Sequence, residues 1–224
     1  MNNELYNFLG ELRVNNDRQW FQTNKKRYEA LRKQFVADVE RLIGRIAAFD
    51  PEIGGLDAQS CMYRIYRDIR FTNDKTPYKT HFGAYMTGYG GRTSPYAGYY
   101  LHIEPGNSLL SGGVWCPPAD LLKRLRQDIY DNMDEFLEII ENSEFKKTFP
   151  SLVGETLKRT PFGFPADDPH ADILRHKDFV VLTERPDAFF CTDDWMDGVV
   201  EAFRVLAPFN RFLNYTVSEY FGKP

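Results

Sequence analysis

Apolar positions in the first fifty residues recur with a helical period. Leu5, Phe8, Leu9 and Leu12 predict a short amphipathic helix over 3–13. Tyr28, Leu31, Phe35, Val39, Leu42 and Ile46 hold one face of a longer helix that runs to about residue 48. Between the two, Asn15-Asn16-Asp17 breaks the pattern and offers a cap to a short helical piece with Trp20 and Phe21, and Asn24 is the candidate cap of the long helix. Pro51 and Gly54-Gly55 end it.

The period then changes to two. Residues 61–66 read as a strand from their Tyr, Ile and Met content, and Thr72 to Pro77 is turn chemistry. From His81 to Tyr89, Phe82, Ala84 and Met86 alternate with His81, Gly83, Tyr85 and Thr87. After the 90–95 loop, Tyr99, Leu101 and Ile103 alternate with Tyr100, His102 and Glu104. Leu109 to Trp115 predicts a further strand, in which Gly112-Gly113 marks a bulge or a close backbone approach.

Pro117-Pro118 opens a helix whose apolar stripe, Leu121, Leu122, Leu125, Ile129, Phe136, Leu137 and Ile140, continues to about residue 142. A further helical turn occupies 143–149, and the Pro- and Gly-rich 157–165 segment is irregular. Phe179 to Thr183 is a short strand, and a last helical region starts at Thr192-Asp193-Asp194, breaks at Pro208 and resumes to about 221. No βαβ alternation, internal repeat or low-complexity linker is present. The expected fold class is α+β, an antiparallel β-meander of about four to six strands covered by long amphipathic helices. One domain spans 1–224, with N-terminal helices in 3–48, a sheet region in 61–115, helices in 117–149 and a C-terminal strand and helices in 170–221.

Composition narrows the class. At 42% hydrophobic and 15% aromatic residues the chain is globular, and it has no run approaching the roughly 20 apolar residues of a membrane-spanning helix. Met1-Asn2-Asn3-Glu4 lacks the character of a secretion signal, and Cys61, Cys116 and Cys191 form neither a disulfide framework nor a CxxC pair, so a reducing cytoplasm is the expected location. A net charge of −4 argues against nucleic acid as a partner. The charge is uneven: residues 1–100 carry 15 Lys/Arg against 11 Asp/Glu, and the remainder 13 against 21.

The cationic half contains Cys61 to Phe82, where Arg64, Arg67, Arg70, Lys75 and Lys79 lie among Asp68, Asp74 and His81 and between tyrosines. Arginine presents a planar fork matched to carboxylate or phosphate, and lysine adds a point charge. Arg67, Arg70, Lys75 and Lys79, with Asp68, Asp74, Tyr78 and His81, are therefore the candidate site for a small phosphate- or carboxylate-bearing ligand. Arg64 falls on the opposite strand face from Arg67 and is the doubtful member. Two alternatives stand beside this reading: the same basic face used as a protein-interaction module, or an ion-pair network that only fixes the loop.

The histidines depend on register. If the strands flanking the 90–95 loop pair with an odd register sum, His81, His102 and Glu104 share a face, and an even sum separates His81 from the others. With no HExxH and no Cys pair, hydrogen-bonded sheet histidines are the adopted reading and no metal is assigned. Gly88-Tyr89-Gly90-Gly91 lacks GxGxxG spacing, and no serine stands in a GxSxG context.

Tyr66-Arg67-Asp68, Phe71, Asn73, Asp74, Lys75, Pro77, Tyr78 and Lys79, followed by Gly112-Gly113, Trp115 and Pro117, resemble the bacterial conserved hypothetical family called domain of unknown function 2461. Leu157-Lys158-Arg159, Pro161, Gly163-Phe164, Lys177-Asp178-Phe179 and the Asn24 to Tyr28 run extend the likeness over nearly the whole chain. The resemblance implies no activity, cofactor or catalytic residue. Neither a reaction nor an oligomeric state is implied by the pattern.

Overall fold

A computed structural model describes residues 3–88 and 90–222. Tyr89, the end of one sequence-predicted strand, lies outside them, as do residues 1, 2, 223 and 224.

Three helices open the chain: α1 (Asn3–Val14), α2 (Arg18–Thr23) and α3 (Lys25–Ile46). Asp17 caps α2 by accepting from the Trp20 N–H at 2.9 Å. Asn24 does not cap α3; its side-chain amide donates back to the Trp20 carbonyl and closes α2 instead. Of the cations at the start of α3, Arg27 bonds Glu4 at 2.5 Å and Glu11 at 2.7 Å, both on α1.

Ala58–Cys61 forms the short helix α4, with Asp57 accepting from Gln59 N–H and Ser60 N–H. The strand predicted over 61–66 is therefore corrected: beyond α4 the chain runs extended but, among the described residues, makes only the isolated bridges Met62–Ala84 and Tyr66–Tyr78. Arg67 N–H bonds the Pro77 carbonyl and Lys79 N–H the Ile65 carbonyl, so the chain pairs locally with its own return. Pro77, having no N–H, stops that ladder from growing.

The sheet consists of β1 (Phe82–Met86), β2 (Gly98–Ile103), β3 (Leu109–Val114), β4 (Leu152–Val153) and β5 (Phe179–Glu184), antiparallel in the order β1-β2-β3-β5-β4. Between β3 and β4 come α5 (Ala119–Asp131), α6 (Met133–Ile140) and α7 (Ser143–Thr148). The single helix predicted to about 142 is thus two, divided at Asn132, whose side chain turns back to the Asp128 carbonyl and carboxylate at 3.0 Å. The short helices α8 (Ala171–Leu174) and α9 (Asp187–Phe190) flank β5, and α10 (Trp195–Phe221) ends the fold.

The predicted break at Pro208 does not occur, because α10 passes through it. A proline inside a helix costs about 3 kcal/mol. Phe203, Leu206, Phe209 and Leu213 are all fully buried around it, and each buried side chain of this size returns about 1.5–3 kcal/mol. Packing wins.

Helices cover one face of the sheet. Phe35 of α3 meets Phe82 at 5.4 Å between ring centroids, and Phe203 of α10 meets Tyr99 at 5.2 Å. Asn210 donates to the Gly98 carbonyl and Asn214 both donates to and accepts from Ala97, which ties α10 to the start of β2. The predicted close approach at Gly112 is present: a Cβ there would stand 2.4 Å from both the Gly98 oxygen and Leu206 Cδ2.

Gly112→Ala should cost about 1–3 kcal/mol by overpacking, with no gain to offset it. Gly106→Ala, at a turn with φ +76° and nothing within 4 Å, should cost only about 1–2 kcal/mol of backbone strain. Urea unfolding of both variants checks the order.

Candidate functional site

The other face of the sheet carries polar side chains, and the register decides which. Phe82 pairs with Ile103, Gly83 with His102 and Tyr85 with Tyr100, an odd register. His81, one residue before β1, therefore shares this open face with Tyr100, His102 and Glu104. The His81 and His102 rings lie 4.3 Å apart between centroids.

His102 is held at both nitrogens. The Tyr100 hydroxyl lies 2.8 Å from Nδ1, and Nε2 lies 3.2 Å from Glu104 Oε2. Burial pushes the Tyr100 phenol well above its usual range, so it keeps its proton and donates to Nδ1. The ring proton then sits on Nε2 and is donated to Glu104. Gly83 makes room for this: a Cβ there would stand 3.0 Å from the Tyr100 hydroxyl. Glu104 also accepts from the Thr80 hydroxyl at 2.6 Å and the Asn107 amide at 2.9 Å. Burial raises the Glu104 carboxyl, but these hydrogen bonds, with His102, outweigh it and hold the group below its usual range. Burial, helped by the neighbouring His102 ring, pulls His81 down to about 4, and burial lowers His102 against the pull of Glu104. Both imidazoles are neutral at physiological pH.

Lys79 borders this pair. Its ammonium lies 5.2 Å from the centroid of the Tyr63 ring, which in turn meets Tyr100 edge-on at 5.9 Å. Burial, then the nearby Arg64 guanidinium, lowers the Lys79 pKa. Among the described residues neither Lys79 nor Arg64 forms an ion pair with a carboxylate.

The other residues proposed from sequence lie elsewhere. Arg67 is bonded to Asp74 and Thr76. Arg70 is bonded to Asp68 at 2.7 Å, and the Lys75 ammonium to the Ile69 carbonyl at 2.9 Å. The Thr76 N–H, then Arg67, pull Asp74 down to about 2, and Arg70 drives Asp68 lower still. Tyr78 is a core residue, 3% exposed, stacked on Phe21 at 4.0 Å and clamped at its backbone by Asn16. Of the eight sequence candidates, Lys79 and His81 reach the open face. The structure brings to them Tyr63, Arg64, Tyr100, His102 and Glu104. Two surface hollows border α10 and are lined by groups such as Asp50, Glu52, Asp128, Glu135 and Arg211, with no histidine in either.

A family model described as "Conserved hypothetical protein (DUF2461)" matches residues 4–212. No curated protein and no solved structure matches the chain.

The 68–77 turn and Tyr78 should separate in a stability measurement. Arg67→Ala breaks a half-exposed ion pair and should cost less than about 1 kcal/mol. Tyr78→Ala removes a stacked core ring and should cost about 3–5 kcal/mol. Urea midpoints of the two variants decide it.

Proposed function

The chain belongs to the DUF2461 family of conserved hypothetical proteins, a membership that assigns no chemistry, and from the site alone we propose that it binds a small molecule bearing a carboxylate or phosphate on the open face of its sheet. Lys79 and Arg64 supply the positive charge, the imidazole of His81 adds a polar contact, and the tyrosine rings at 63 and 100 flank the organic part of the ligand.

One observation carries the reading: among the described residues Lys79 is a half-buried cation with no carboxylate in an ion pair, set beside the Arg64 guanidinium, which feels Asp68 but does not close on it. Half-burial strips this ammonium of part of its hydration, a smaller cost than the several kcal/mol of complete desolvation. The Tyr63 face returns about 0.5–2 kcal/mol of that. An anion arriving from solvent would return the rest. Arg67, Arg70 and Lys75, by contrast, are already matched to Asp74, Asp68 and a backbone carbonyl, so they stabilise the turn leading to the site.

The tip of that turn favours a second reading, contact with an acidic protein partner. Phe71 is 93% exposed with the Arg70 guanidinium 5.5 Å from its ring centroid, and an exposed aromatic beside a cation is common interface chemistry.

A thermal-shift panel of inorganic phosphate, nucleotides and short organic acids tests the first reading. At a hundredfold excess over Kd, a true ligand should add about 2.7 kcal/mol and raise Tm by several degrees. Lys79→Met should abolish the shift. A panel without any shift, or an equal shift in the variant, would overturn the proposal.

A further inference from the structure

We propose that His81, His102 and Glu104 form a binding site for a first-row divalent cation, with zinc the best match. Two imidazole nitrogens and a carboxylate oxygen lie within 4.8 Å of one another on partly buried side chains. A two-nitrogen, one-oxygen set suits zinc, which takes three protein ligands where it keeps one position open. Small rotations would contract the three atoms around an ion.

The surroundings fit the same role. The ring nitrogens of His81 make no hydrogen bond among the described residues, so this ligand is already uncommitted. His102 is oriented through the nitrogen that would not face the ion, by the Tyr100 hydroxyl on Nδ1. Metal-bound histidines are characteristically held in this way through their other nitrogen. Glu104 is fixed by Thr80 and Asn107. On metal binding the His102 ring proton would move from Nε2 to Nδ1, where the Tyr100 oxygen accepts it, and Nε2 would turn its lone pair to the ion. No oxidant or further reactant is needed.

Charge also bears on what would occupy the open position. A divalent cation with one carboxylate leaves one positive charge, next to Lys79. That balance excludes a second cation and favours an anionic ligand. The inference thus rests on the anion reading only for the occupant of the fourth position; the metal itself is measurable without any anion.

The test is calorimetric titration of the full chain with zinc, after chelator treatment, in a phosphate-free buffer. Wild type should bind one zinc per chain. His81→Ala, at the mouth of β1, should weaken it by at least the roughly 10–100-fold that even a group merely orienting a ligand is worth. Glu104→Gln, which keeps shape and most hydrogen bonds, should weaken it as well and stands in if the alanine variant proves unfolded by circular dichroism. Absence of zinc binding, or equal binding in wild type and the folded variants, would overturn the site; the latter would assign the metal to exposed Cys116 or Cys191. Titrating Lys79→Met beside them separates the two proposals. Zinc retained with the anion response lost supports both, whereas zinc lost in His81→Ala with no anion response in any protein leaves the metal site standing alone.

Discussion

The open face owes its chemistry to the pairing of β1 with β2. Ala84 and Met86 on one strand and Tyr99, Leu101 and Ile103 on the other are all fully buried under the helices. Side chains alternate across a strand, so this shared apolar face forces His81, Tyr100, His102 and Glu104 together on the far side. A slip of one residue would place either the apolar set of one strand or its polar set on the wrong face. The hydrophobic core thereby sets the position of two histidines and a glutamate that take no part in it.

That pairing is in turn pinned from below. Gly98 leaves no space for a side chain, since a Cβ there would stand 2.5 Å from Thr87 Cβ, and Gly112, on the helix-covered face, leaves room for Leu206 of α10. Asn210 and Asn214 add hydrogen bonds from α10 to Gly98, the first residue of β2, and to Ala97 just before it. These contacts lock the strand order against one long helix. Continuity of α10 through Pro208 matters for this reason, because a break there would separate Leu206 from Phe209 and Asn210.

Much of this was legible in the pattern of residues. The N-terminal helices, the alternation of β1 and β2 and the glycine approach in β3 all follow from periodicity and side-chain size. Even the odd register follows once Phe82, Ala84 and Met86 are required to face the same core as Tyr99, Leu101 and Ile103, an argument that needs no coordinates. The density of cations between 64 and 79 was a weaker guide. Charge counts do not reveal that Asp68 and Asp74 sit at distances along a tight turn that let each neutralise the arginine beside it. Lys79 closes on no acid of that turn, and Arg64 acts on Asp68 only at a distance, because Asp68 is already bonded to Arg70. The misread strand has a similar cause, as tyrosine and isoleucine content reports β preference but not the proline opposite that halts a ladder.

The segment from Met62 to Tyr66 has one more effect. It lies along the outer side of β1, with the Tyr63 N–H on the Gly83 carbonyl, while the opposite border of the sheet is only two residues long, Leu152–Val153. A bare, lengthy border strand is a template for pairing with another chain. Here one border is draped and the other is too brief to recruit a neighbour, so the sheet is shielded from edge-to-edge aggregation by the same stretch of backbone whose Ile65 carbonyl holds the Lys79 N–H.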